Sequence, residues 1–476
     1  MKKSALNRYF YPPVFCFLLL ALSVLPCSCK KDGFIISPDA RLTITADTLK
    51  YDTVFTTTGS ITKVFKVINE NDQQLRLSKV KLMGGAASAY RMNVNGSSAT
   101  EVNDLDIAAN DSIYIFVSVT INPGSPNLPF IVSDSILVSY NGNNRFVQLQ
   151  AFGQNANFLR NKVLIGINTW TNNLPYVILG SLRIDTTATL TIQPGCMIYA
   201  HADAPFIVDG TLIINGTKTN PVVFAGDRLD AEYKDLPAGW PGIYFRGSSR
   251  NNIMRFAVLK NAYQALVAEK PSGNTNPKII LHQCIIDNAY DAGIICSNTS
   301  LQADNSLISN CGSNIAISYG GDYTFTNCTV AGISTNYINH KNSVLTLNNY
   351  TSQNGNTVTA NLNAVFRNNI FWGDAGFVDN EIIVDKQGNN TFNVLFDKNL
   401  YRANSDPAVA TFTNNIKNQD PVFDSIDVNK RIFNFRVTKN ASAPGINKGA
   451  LTVFLKDLDD NNRSNGLPDM GCYEKQ

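Results

Sequence analysis

Three segments of this chain superimpose at a fixed spacing. Gln283-Cys284-Ile285-Ile286-Asp287-Asn288 aligns with Asn305-Ser306-Leu307-Ile308-Ser309-Asn310 and with Asn327-Cys328-Thr329-Val330-Ala331-Gly332, so Cys284, Ser306 and Cys328 stand 22 residues apart. A repeat of about this length, rich in strand formers and lacking helical periodicity, cannot bury its apolar face alone. Stacked on its neighbours it forms a β-solenoid. Arg255 to Asn261 precedes the three segments by a longer coil, and Asn368-Asn369-Ile370-Phe371 follows them. In this register Cys284, Ser306 and Cys328 point inward beside Ile286, Ile308 and Val330. Gln283, Asn305 and Asn327 stack at a corner, where amides can bond from coil to coil.

The rest of the chain agrees with an all-β class. Charged residues make up only 16 % of it, and no mature segment carries a 3.6-residue apolar period. From about Leu42 to Phe152 the period is two: Ile113, Ile115, Val117, Val119 and Ile121 alternate with polar or aromatic neighbours. Asn141-Gly142 between two strand-like runs marks a hairpin. About seven short strands are expected here, which suits an immunoglobulin-like β-sandwich over 34–155. Phe65-Lys66-Val67-Ile68-Asn69 and Asn110-Asp111-Ser112 resemble bacterial modules of the abnormal-spindle/hydin type, mostly spacers. Gly153 to Lys162 is polar and reads as the boundary. Beyond it, short strands punctuated by Gly and Asn run to about Arg402. This segment resembles the right-handed parallel β-helix of pectate-lyase-like proteins, placed at 160–405. Asp420-Pro421-Val422-Phe423, Ala443-Pro444-Gly445 and Asp469-Met470-Gly471-Cys472-Tyr473-Glu474 resemble the closing segment of bacterial surface β-helix proteins. Residues 406–476 are therefore expected to be a C-terminal cap, since an open solenoid end leaves strand edges unpaired.

Residues 1–29 read as an address. Lys2, Lys3 and Arg8 precede an apolar run from Phe15 to Leu25, which closes on Ser28-Cys29-Lys30-Lys31-Asp32. The run is shorter than the roughly 20 residues a membrane-spanning helix needs. It resembles a lipobox, with Cys29 as the lipidated residue, and the charged start resembles surface lipoproteins of the Bacteroidetes. The resemblance implies an outer-membrane protein held by its lipid alone and facing the exterior. Six further cysteines show no disulfide or zinc spacing. A net charge of +3 gives no basic stripe for nucleic acid, and a monomer is expected.

The chemistry is harder to read. The Asn-Thr-Asp, Asp-Asp and Gly-His-Gly set of polygalacturonase-like hydrolases is missing from the coils, as is the Arg-x-Pro-x-x-Arg segment of pectate lyases. Arg255, His282 and Asp304 fall in one corner column on successive coils, about 4.8 Å apart, and could exchange protons. The same column also suits an exposed charge ladder. His201-Ala202-Asp203 is a second such group. Asp457, Asp459 and Asn461 alternate oxygens as calcium loops do, although Asn462 and Pro468 stand where an EF-hand has Gly and Glu. No cofactor is expected apart from calcium at that turn. Tyr244, Tyr263, Tyr290, Trp240 and Trp372 are candidate sugar-stacking rings. The preferred expectation is non-catalytic binding or adhesion to a polysaccharide or other surface glycan. The alternatives are a polysaccharide lyase or glycoside hydrolase, and a structural envelope spacer. An aromatic or amide-lined face would favour binding, and convergent acids and bases would favour an enzyme.

Overall fold

The computed structural model describes residues 33–55, 59–121, 130–374, 376–437, 439, 442–463 and 466–476. Cys29 and the rest of the address lie outside them. The N-terminal unit is a sandwich of two five-stranded antiparallel sheets. One sheet runs in the order Leu42–Ile44, Lys63–Asn69, Ser112–Val119, Tyr90–Val94, Ser97–Ser98; the other runs Thr48–Phe55, Asn143–Gln154, Phe130–Tyr140, Leu75–Leu82, Glu101–Ile107. Period-two alternation does the sorting. Ile113, Ile115, Val117 and Val119 are buried, while Tyr114 and Phe116 face outward and stack with ring centroids 6.1 Å apart. Asn141 and Gly142 take φ values of 44° and 82°, the left-handed pair a tight two-residue hairpin requires.

The second unit is a right-handed parallel β-helix whose strands form one 26-stranded sheet. It begins inside the stretch read as a boundary: Asn157–Leu164 pairs in parallel with Tyr176–Ile184. Each coil presents three faces. On the second face, nine successive parallel pairings link ten strands, from Ile167–Trp170 to Thr411–Thr413. The 22-residue spacing holds for two coils, His282 to Asp304 and Asp304 to Thr326. The next coil takes 41 residues because it carries a 333–343 loop and the hairpin Tyr350–Gln353/Asn356–Thr359.

The interior is stacked by column. Cys284, Ser306, Cys328, Ile286, Ile308 and Val330 are all buried, as the spacing requires. All six described cysteines are unpaired. Phe325, Phe366, Phe396 and Phe412 form a file of near-parallel rings at 5.5, 4.7 and 4.6 Å. The amide ladder lies one residue further in than expected. Gln283, Asn305, Asn327 and Asn368 supply the left-handed corner, with φ near 50°, a conformation Asn adopts more readily than most residues. Among them the amides link only Asn368 to Asn327, at 2.8 Å. The continuous ladder follows Cys328 in the adjacent inward column: Cys328 N donates to Asn369 Oδ1, Asn369 N to Asn399 Oδ1 and Asn399 N to Asn415 Oδ1, at 2.7–2.8 Å. Inside the coil a side-chain amide meets backbone donors that water cannot reach, so the ladder is worth most there.

The C-terminal cap is lateral. After the last strands of the sheet the chain returns along the third face, clamping coils made far earlier. Gly471 N donates to Asn368 O, Cys472 N to Thr329 Oγ1 and Gln283 Nε2 to Asp457 O. Phe435, Leu458, Cys472 and Tyr473 pack on Leu307, Ala331 and Ile333, and Met470 packs on Ile370 and Leu400.

Candidate functional site

Arg255, His282 and Asp304 do occupy one column, in strand register. His282 Nδ1 lies 2.5 Å from Asp304 Oδ1, and Asp304 Oδ2 accepts from Asn305 Nδ2 at 3.0 Å. An exposed ladder is not what forms. The Asp304 side chain is 7 % exposed and that of His282 26 %, and at the neighbouring corner position Arg463 of the cap donates to Asn305 Oδ1 at 3.0 Å. Arg255 stays exposed and, among the described residues, pairs with neither. The pair is therefore an imidazole oriented by a buried carboxylate.

His201 is held by Asp227 (Nδ1 to Oδ2, 2.7 Å) one coil on, while Asp203 stands exposed. Burial raises the Asp227 carboxyl above its usual range. The third histidine, His340, was not singled out in the sequence because its carboxylate partner is 41 residues away. Its Nε2 lies 3.1 Å from both oxygens of fully buried Glu381, which also accepts from Arg402 Nη2 at 2.7 Å. Gly332 and Gly373 make room for the ring; a Cβ at either would fall 2.3 or 2.2 Å from an imidazole nitrogen. This cluster is sealed and serves packing.

The Asp457-Asp459-Asn461 turn is occupied by protein donors. Asp457 Oδ1 accepts from Asn461 N at 2.7 Å and Oδ2 from Glu474 N at 2.8 Å. Asp459 is gripped by Arg436 and Lys218, and this pairing lowers its carboxyl. Asn461 Nδ2 reaches Asp457 Oδ2 at 3.4 Å, so its side chain joins the same turn as a donor. The candidate rings separate into two groups. Trp240 is buried and donates to Lys260 O at 2.8 Å, and Trp372 packs beside Ile370 and Leu400. Tyr263 and Tyr290 are exposed and stack at 6.0 Å, and Tyr244 lines a separate cavity of about 470 Å³ with Ile207 and Val267.

A broad open groove lies on the second face, beside the His282–Asp304 column. Leu301, Ala303, Tyr323, Phe325, Ala364 and Phe366 point inward and are buried. Alternation therefore turns Ser300, Gln302, Asp322, Thr324, Asn363 and Val365 outward. They floor a groove of about 860 Å³ walled by Pro271 to Pro277 on one side and by Asn361 and Asn390 further along. Asn393 Nδ2 donates to Asn363 Oδ1, and Asn363 Nδ2 to Asp322 Oδ1, each at 2.9 Å. The buried Thr299 hydroxyl, which also lines the groove, has no hydrogen-bond partner among the described residues. Such a floor offers amide, hydroxyl and carboxylate groups at strand spacing.

The family model of the pectate-lyase-like beta helix domain matches residues 166–278. No curated protein matches in sequence. Three solved structures align at low similarity. The first is a family 123 glycoside hydrolase from Clostridium perfringens: 12 % identity, TM-score 0.17, 26 % of this chain and 26 % of that chain. This chain thus spans about a quarter of that enzyme. The second is the ASH/PapD-like domain of human CEP192: 6 % identity, TM-score 0.19, 26 % of this chain and 96 % of that one. The third is the catalytic unit of a GH87 α-1,3-glucanase from Streptomyces thermodiastaticus: 12 % identity, TM-score 0.26, 74 % of this chain and 88 % of the other.

Proposed function

We propose that this chain binds a polysaccharide along the second face of its β-helix without cleaving it. The groove floored by Ser300, Gln302, Asp322, Thr324 and Asn363 carries the reading. A glycan displays hydroxyls that both donate and accept, and an amide offers both functions in fixed geometry. The pectate-lyase-like match makes a glycan the natural ligand class, an inference by analogy. Carboxylate spacing argues against hydrolysis in this groove. Asp322 is in register with Ser300, four residues before Asp304, so the two acids stand roughly 13 Å apart along the strands at about 3.3 Å per residue. An inverting pair needs about 6.5–9.5 Å and a retaining pair about 5 Å.

One observation favours an enzyme instead: His282, oriented by Asp304, has the form of a general base. A single assay separates the readings. The purified chain is incubated with a polysaccharide panel, scoring retention and new reducing or unsaturated ends. Retention without new ends, weakened by Asn363→Ala with Asn393→Ala and unchanged by His282→Ala, is expected. New ends that vanish in His282→Ala would replace binding with catalysis. The same proposal places the chain on the outer face of the outer membrane, anchored through Cys29. Cys29→Ala should release it from the membrane fraction and globomycin should leave a longer precursor; unchanged retention would remove the anchor from the proposal.

A further inference from the structure

A third, smaller cavity lies where the third face turns into the first. Its volume is about 190 Å³. It is far smaller than the groove of about 860 Å³ on the second face, a scale that suits one small ring. Asn261, Asn288 and Asn310 succeed one another there coil by coil, and Asn288 Nδ2 ties Asn261 Oδ1 (2.8 Å) to Asp235 O (3.0 Å). The walls come from three separate segments. Asp235 belongs to the 227–239 loop, Tyr337 to the 333–343 loop, and Arg431 and Phe433 to the hairpin of the cap.

The charges define what fits. Two carboxylates, Asp235 and Asp287, face two cations, Lys260 and Arg431. Arg431 Nη1 lies 3.7 Å from Asp235 Oδ2 at the mouth, where both side chains are about half exposed. A metal cation would meet the ammonium and the guanidinium; a phosphate would meet the two acids. A neutral ligand that both donates and accepts meets neither penalty. Asp287 retains capacity for such a ligand. Ser309 Oγ (2.7 Å) and Asn310 Nδ2 (3.1 Å) both donate to its Oδ1, which leaves Oδ2 without a donor among the described residues. Burial also raises this carboxyl above its usual range, as expected of an acid short of donors. The Phe433 ring supplies apolar surface for C–H groups, while the Arg431 guanidinium lies over one face of the Tyr337 ring, 5.0 Å from its centroid.

We propose that this pocket binds a single neutral sugar ring, with Asp287 Oδ2 accepting from its hydroxyls and Lys260 donating to them. The site is separate from the groove on the second face, so either can fail without the other. The test is ligand-observed NMR and calorimetry on the purified chain with D-glucose, D-galactose, D-mannose and N-acetylglucosamine as probes. Saturable binding of at least one is expected, weakened tenfold or more by Asp287→Ala. Because Asp287→Ala also strips Ser309 and Asn310 of their acceptor, exposed Lys260→Met serves as the second variant and should weaken binding at unchanged melting temperature. Asn363→Ala, in the groove, should leave it intact. Failure of all four sugars to bind, binding indifferent to Lys260→Met, or binding of calcium or inorganic phosphate that Lys260→Met or Asp287→Ala abolishes would overturn the proposal.

Discussion

Arg463 Nη1 and Glu474 Oε2 lie 2.9 Å apart, with both side chains almost completely buried between the cap and the coils. Arg463 also donates to Asn305 Oδ1, Gly471 O and Asp469 O, so one guanidinium ties three parts of the molecule. Burial, with Asp469 close by, pushes the Glu474 carboxyl up to about 7. Between its ordinary 4.5 and this value the folded chain holds a proton that the unfolded chain has released. Stability should therefore fall as pH rises from about 4.5 to 7 and level off above. Glu474→Gln, which cannot ionise, should flatten that part of a melting-temperature profile. A slope equal to that of the parent would refute the assignment.

Asp304 is predicted to matter for stability and His282 much less. Removing the buried carboxylate leaves His282 and Asn305 without an acceptor, a loss of about 1–3 kcal/mol. His282→Ala leaves Asp304 bonded to Asn305 and should cost less than Asp304→Ala. Thermal melts of the two variants give the order directly; equal losses would mean that the pair acts as a surface ladder after all.

The inner amide ladder makes a sharper demand. Asn399 accepts from Asn369 N and Nδ2, and donates from Nδ2 to Phe366 O and Asn415 Oδ1. Asn399→Leu keeps the branching and number of heavy atoms of the side chain and removes every one of these bonds. In a stacked array the damage should stay close to the altered coil. Hydrogen exchange is expected to rise over residues 366–369 and 396–416 and to remain unchanged before about 300.

Buried thiols should resist reagents. Burial pushes the thiols of Cys284 and Cys296 up to about 12, and the thiolate is the reactive form. In the native protein the six described cysteines should take up almost no Ellman's reagent at pH 8, and in the unfolded protein all six should react. Fast native labelling at Cys284 would contradict the inward register.

The β-helix was legible in the sequence wherever the spacing was regular. Cys284, Ser306 and Cys328 set the register because each coil there is free of insertions. The 41-residue coil hid the continuation beyond it: Asn368-Asn369 was seen to follow the three segments, but Asn399 and Asn415 could not be seen to extend the Cys328 column. The candidate site was harder to read. His282 and Asp304 came from the period, but the cap residue that meets the neighbouring corner, Arg463, lies 158 residues beyond Asn305. The groove floor was hidden for another reason: Ser300, Gln302, Asp322 and Asn363 are ordinary outward strand residues, and only stacking makes a surface of them. Asp287 stood within the repeat itself, yet what surrounds it comes from loops of irregular length.

The lateral cap has a consequence for the order of events during synthesis. Coils contact only their neighbours and can form one after another as the chain emerges. The bond from Cys472 N to Thr329 Oγ1 spans 143 residues, so the corner holding Asn305, Asn327 and Asn368 stays wet until 469–474 arrive. Local contacts close quickly and distant ones late. A nascent chain stalled before Arg463 would thus carry a finished winding with its seam unfastened, and a protease added at that stage should cut along the third face first.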